Sequence, residues 1–176
     1  MRMIDHAYDT EARPDLYVGD DAAMLCRMLE GDWPDTPGEP HPTFVYDREK
    51  LMMDSRYGTV FVYLVSSPKT VADTDFRTVD RTPRLAIRLA CRSRDLMFRW
   101  ARIVESIMQS YRRSMRTWGP YTYLEVINER PDNSADGWYA YTYDVKLTGY
   151  HIPMVGSGLY KSCDPCEYHD CNDGGL

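Results

Sequence analysis

The stretch that decides the fold is "PRLAIRLACRSRDLMFRWARIVESIMQS", residues 83 to 110. Its first part alternates Leu85, Ile87, Leu89 and Cys91 with Arg84, Ala86, Arg88, Ala90 and Arg92. A period of two predicts a strand with one face on a core and one on a polar environment. At Ser93 the period changes. Serine is a favoured helix cap, and Asp95 falls in the first turn, where the helix dipole favours a carboxylate. Leu96, Met97, Trp100, Ile103, Val104, Ile107, Met108, Tyr111 and Met115 then recur at helical spacing. This predicts one long helix from about Arg94 to Arg116, closed by Gly119-Pro120, with Arg99, Arg102, Arg112, Arg113 and Arg116 among its outward residues.

Upstream, Asp20 caps a shorter predicted helix from Asp21 to about Glu30, with Ala22, Leu25, Met28 and Leu29 on one face and Gly31 as its stop. Pro34, Pro37, Pro40 and Pro42 rule out a central strand between Gly31 and Pro42, so an extended connector is expected there. "TFVYD" reads as a brief strand. "GTVFVYLVSS" (58 to 67) is a clear one, being β-branched and aromatic throughout. Residues 68 to 77, "PKTVADTDFR", read as a polar loop.

Downstream, "YTYLEVINER" (121 to 130) and "WYAYTYDVKLTGY" (138 to 150) flank the turn-rich "PDNSADG" and predict a hairpin. In the second strand Tyr139, Tyr141, Tyr143, Val145 and Leu147 face one way, and the three tyrosines are expected in the core. The sum is an α+β fold: a mostly antiparallel sheet packed by one long and one short helix. The expected organisation is an N-terminal arm (1–18), one domain (19–155) and a C-terminal tail (156–176). A chain of 176 residues, 43% hydrophobic, holds one ordinary core.

Charge narrows the function. The net charge is -6, which argues against nucleic-acid binding over the whole surface. No apolar run approaches the roughly 20 residues of a membrane span, and the N-terminus lacks the apolar stretch of a secretion signal. A soluble, intracellular protein is therefore expected, whose five cysteines read as reduced thiols or metal ligands before disulfides. Basic charge is mostly arginine, 17 against 4 lysines, a bias that says little about function.

No phosphate-cradling glycine loop, nucleophile elbow or zinc-protease motif is present, and the four histidines are scattered. A catalytic role is not expected. Two clusters remain. The arginines of the 84–92 strand and of the long helix, Arg84, Arg88, Arg99, Arg102 and Arg113, are either solvated or contacts with another subunit or an acidic partner, because guanidinium pairs bidentately with carboxylate, with DNA contact a third option for those of the helix. Cys163, Cys166, His169 and Cys171 have the donor chemistry that zinc prefers. Four ligands within nine residues leave little chain to wrap an ion, so a structural zinc stands beside a disulfide or redox pair and an incidental tail. A metal there would be structural, and no cofactor is required.

Taken in order, the helix at 20–30, the strand "GTVFVYLVSS", the strand feeding the long helix in "RLAIRLACRSRDLMFRWARIVESIMQS" and the closing "YAYTYDVKLTGY" resemble the tail terminator and tail-completion proteins of long-tailed bacterial or archaeal viruses. The resemblance spans about residues 20 to 152. It implies a structural virion protein, assembled in the host cytoplasm, that closes into a ring, most often of six subunits, at the head-proximal end of the tail. Such a ring ends tube assembly and joins tail to head. The implied partners are further copies of the chain, the tail-tube protein and head-side connector proteins, with DNA passing through the channel without sequence-specific binding and no membrane. The Pro-rich connector and the cysteine-bearing tail depart from the family's pattern. A head-side connector or stopper of the neck is the neighbouring alternative, and a small zinc-binding regulatory module the alternative from another class.

Overall fold

The computed structural model describes residues 20–46, 57–71, 78–133 and 137–153. Ten elements follow in chain order: α1 (Asp21–Gly31), β1 (Thr43–Val45), β2 (Gly58–Ser66), β3 (Lys69–Val71), β4 (Thr78–Arg81), β5 (Arg84–Cys91), α2 (Arg94–Ser110), β6 (Tyr123–Asn133), β7 (Tyr139–Thr148) and β8 (Tyr150–Pro153). Five strands form one sheet in the order β1-β2-β5-β7-β6, and β3-β4-β8 form a second, smaller one. Within the large sheet only β1 with β2 is parallel; the other pairs are antiparallel. The fold is α+β, as the periodicities predict.

The core follows from the alternation in the strands. Val60 and Val62 of β2, Leu85, Ile87, Leu89 and Cys91 of β5, and Tyr143, Val145 and Leu147 of β7 are buried together with the apolar residues of both helices. Helix α1 lies over β1 and β2, and α2 over β5 and β7. Trp100 of α2 is almost wholly buried, and truncating such a side chain costs about 3–5 kcal/mol. Gly58 admits this tryptophan. Its φ is 150°, and an added Cβ would lie 2.8 Å from the Trp100 ring and 2.5 Å from the Ala90 carbonyl oxygen. Tyr143 fastens sheet to helix by donating its hydroxyl to the Ala101 carbonyl at 3.0 Å.

Both caps form as the sequence predicts. The Asp20 carboxylate accepts from Ala22 N and Ala23 N at 2.9 and 3.1 Å, and the Ser93 hydroxyl accepts from Leu96 N at 3.3 Å. The far end of α2 differs. The helix stops at Ser110 rather than Arg116, although Tyr111 and Met115 are buried as their spacing predicts. The reason is tertiary: the Tyr111 hydroxyl donates to Asp32 beyond α1, and turns at Met115 to Gly119 replace the helical ladder. Ser110 also donates to the Ser106 carbonyl, a local bond that competes with helix continuation.

Other differences sit where the sequence suggests a loop or one continuous strand. The segment 68–77 holds β3, and β4 follows it. The final strand is two. Gly149, with φ 86°, breaks it between β7 and β8, and β8 pairs with β4. The tyrosines of β7 divide: Tyr143 is buried, Tyr141 half-buried and Tyr139 43% exposed, because Tyr139 lies at the end of the sheet opposite Cys91. The Pro-rich connector does more than span a gap. Trp33 turns into the core, edge to face with Trp100 at 6.0 Å and Phe44 at 5.3 Å, and His41 leans on the same cluster.

A buried ion pair ties α1 to the small sheet. Asp21, the first residue of α1, has no exposed side-chain surface; Arg81 of β4 lies 2.6 Å from its Oδ2, and the Tyr121 hydroxyl donates to Oδ1 at 2.7 Å. Removing Arg81 strands the Asp21 carboxylate away from water, whereas replacing both with apolar residues is far less costly. Arg81→Ala is therefore expected to lower stability by about 3–5 kcal/mol in urea unfolding, and Asp21→Leu combined with Arg81→Met to recover most of that. A loss below about 1 kcal/mol for the single variant would show the pair to be incidental.

Buried weak acids set a second expectation. Burial pushes the Cys26 thiol up to about 12, and burial, then the bond to Asp32, raises the Tyr111 phenol to about 12. Both pKa values lie above those of the unfolded chain, so their stabilisation is complete below about pH 9 and is lost as pH rises toward 12. Urea midpoints should be flat from pH 7 to 9 and fall beyond it, with a shallower fall in Tyr111→Phe. An unchanged alkaline slope in that variant would remove Tyr111 from the account.

Candidate interaction surfaces

The outer face of the large sheet is built from the residues that alternate with the core. Opposite Arg88 of β5 lies Thr142 of β7, and opposite Thr142 lies Arg130 of β6. The charges on this face pair with one another. Arg88 Nε is 3.3 Å from Asp132 Oδ2, Arg130 is bonded to Asp144, and Asn128 donates to the same Asp144 carboxylate at 3.4 Å. The Asp144 bond raises the pKa of the Arg130 guanidinium further. Between these pairs sit Ala86, Ala140 and Thr142, all buried despite facing outward, with Thr142 donating to Asp132 at 3.2 Å. Small residues thus lie beneath the bridging charges, and on the β2 side of the same face Phe61 and Tyr63 stack at 5.0 Å.

Arg84 is different. It is exposed, has no acid within ion-pair distance among the described residues, and lies directly opposite Lys146. Like charges placed across neighbouring strands repel, so this corner favours an anion brought from elsewhere. On α2, Arg99 Nη1 lies 2.6 Å from Glu39 Oε1, so the connector supplies its partner. Arg102, Arg112, Arg113 and Arg116 are exposed and make no ion pair among the described residues. Of the five arginines that the sequence singles out, Arg88 and Arg99 are thus tied internally, while Arg84, Arg102 and Arg113 are available. Arg113 stands beyond the helix rather than on it.

Arg130, Asp132 and Asp144 were not singled out, yet they complete the network around Arg88. The signal was present in the alternation of β6 and β7, whose outward positions carry charge of both signs. Nothing local marks the pair Asp21 and Arg81, which are 60 residues apart in sequence.

Exposed apolar side chains lie at the two ends of the sheet, with Ile127 at the β6 bulge between them. Near the start of α2 are Tyr57, Phe98 and Tyr139, with Arg94 over the Phe98 ring at 5.7 Å and Arg92 over Trp138 at 5.3 Å. At the opposite end are Leu64 and Val65 of β2 and Tyr123 of β6. The register separates these ends by six residues of β5, about 20 Å. Cavities also open on this surface among the described residues. One, of about 240 Å³, lies in the connector against Trp33, Glu39 and His41. Another, of about 180 Å³, lies between the end of α2 and β6, lined by Met108, Gln109, Arg112, Leu124, Glu125 and Val126.

Cys163, Cys166, His169 and Cys171 lie outside the described residues, as do the segments 1–19 and 154–176. Among the described residues no group of three or more His, Cys, Asp or Glu side chains could hold a metal ion. Cys26 and Cys91 are buried free thiols. Among the described residues no helix is long and apolar enough to cross a membrane.

Comparison with known proteins adds little. No family model matches the sequence, and no curated protein does. The chain is similar in structure to a chain from the virion of a native gene transfer agent particle, with 9% identity, a TM-score of 0.42, and coverage of 77% of this chain and 89% of that one. A likeness of that size leaves the role to be read from the surfaces themselves.

Proposed function

We propose that this chain is a structural virion protein that closes into a ring at the head-proximal end of a viral tail, ending the tube and joining it to the head. The observation that carries the reading is the pair of unlike ends of the sheet. A closed ring needs a heterologous contact, in which two different patches of one subunit meet. The aromatic end around Phe98 and Tyr139 and the end formed by Leu64, Val65 and Tyr123 are two such patches, at opposite ends of one sheet. The element order supports it as well: a strand running straight into the long helix, then a hairpin that finishes the sheet, is the order on which the family resemblance rests.

Arginines with no internal partner fit the same role. Arg84, Arg102 and Arg113 offer cationic contacts to acidic neighbours in the tube or the head-side connector, and those that face a channel would lie near the DNA backbone without reading its bases. This role asks for no cofactor. A zinc on Cys163, Cys166, His169 and Cys171 would serve only to fold the tail.

Native mass spectrometry of the purified chain, with and without a chelator, tests the reading. The expected result is a closed ring, with six copies as the leading stoichiometry, whose mass is unchanged when metal is removed. Leu64→Asp together with Val65→Asp should reduce it to monomer without changing the far-UV circular dichroism. A monomer at every concentration, in the presence of tube protein as well, would overturn the ring. A monomer that loses its fold on chelation would favour the zinc-binding regulatory module instead.

A further inference from the structure

The groove between the last turn of α2 and β6 combines three features. Its inner end is closed by Met108 and Leu124, both buried, and by half-buried Val126, while most of the surface it exposes is polar. Beside it runs the outer edge of β6, which pairs with β7 on one side and with no strand on the other among the described residues. That edge is blunted in its second half by the bulge between Val126 and Asn128 and by Pro131, but Tyr123–Val126 run regularly. Its rim is cationic: Arg112 lines the groove, Arg113 is its neighbour, and neither has an ion pair among the described residues. Glu125, the carboxylate among the lining residues, lies opposite Lys146. An open strand edge and a guanidinium at the rim together hold an extended acidic peptide: main chain pairs with main chain, and a carboxylate meets the arginine.

We propose that this groove receives the segment 154–176 of a second copy of the chain. The segment carries Asp164, Glu167, Asp170 and Asp173 against Lys161. The segment 1–19 is a poorer complement, because Arg2 and Arg13 offset part of its acidity. Reach is sufficient. The 23 residues span up to about 75 Å when extended, against roughly 40 Å for the diameter of a domain of this size. The proposal rests on the ring reading and supplies a contact by which one copy holds the next.

Photo-crosslinking on the full chain tests it. Gln109 is exposed at the rim, so p-benzoylphenylalanine placed there should capture whatever lies in the groove. Equal amounts of isotopically heavy and light chains are mixed, irradiated and mapped by mass spectrometry. The expected product joins position 109 of one isotope to the 154–176 segment of the other. Its yield should fall at least tenfold in Arg112→Glu/Arg113→Glu and be largely retained in Arg112→Lys/Arg113→Lys. Products confined to one isotope, products on residues 1–19, or a yield indifferent to the charge reversal would overturn the docking. If the ring persists in native mass spectrometry without this product, only the docking fails. A monomer with no mixed-isotope product defeats both.

Discussion

Everything in this molecule depends on one face of one sheet being made dry. β5 sits at its centre, flanked by β2 and β7, and its inward residues Leu85, Ile87, Leu89 and Cys91 are fully buried. Ser93 turns the chain back so that α2 lies over the strand it has just left. Because strand and helix are joined by a two-residue turn, the core contact is local and its closure entropy small. α1 and the connector then extend the cover over β1 and β2, with Trp33 reaching in to meet Trp100.

A sheet dried on one face has to satisfy the other by different means. Here the outer face is neither an apolar patch nor a scatter of solvated lysines. Arg88, Asp132, Arg130 and Asp144 bridge the strands while alanine and threonine keep the surface low between them. Exposed pairs of this kind contribute little to stability, with a usual range of about 0–1 kcal/mol each. Their effect lies in register and specificity, since a one-residue slip of β6 against β7 would set like charges opposite one another.

The fold was legible where periodicity is strong and local. The β5 alternation, the α2 stripe and the caps at Asp20 and Ser93 are each decided within a few residues, and they stand where the sequence places them. What escaped was decided by distant partners. The end of α2 is set by Asp32 reaching Tyr111 across 79 positions, and β4 is held by Asp21. The short strands β3 and β8 have too few residues for a period to declare itself. The interaction surface was half legible. Arginine was visible in the sequence, but whether each one was already partnered depended on Glu39, Asp132 and Asp21, which only the fold brings near.

That division separates arginines by what the structure leaves them to do. A guanidinium with an internal carboxylate, such as Arg81 on Asp21, is part of the scaffold, and its removal exposes a stranded charge. A guanidinium with no ion pair among the described residues, such as Arg84, faces the like charge of Lys146, whose other cross-strand neighbour is Glu125. Such a site gains from a contact that brings in a carboxylate or phosphate, because the incoming anion then removes a penalty as well as forming a bond. An uncompensated arginine at the rim of an otherwise paired surface is therefore a stronger pointer to an interface than arginine content alone.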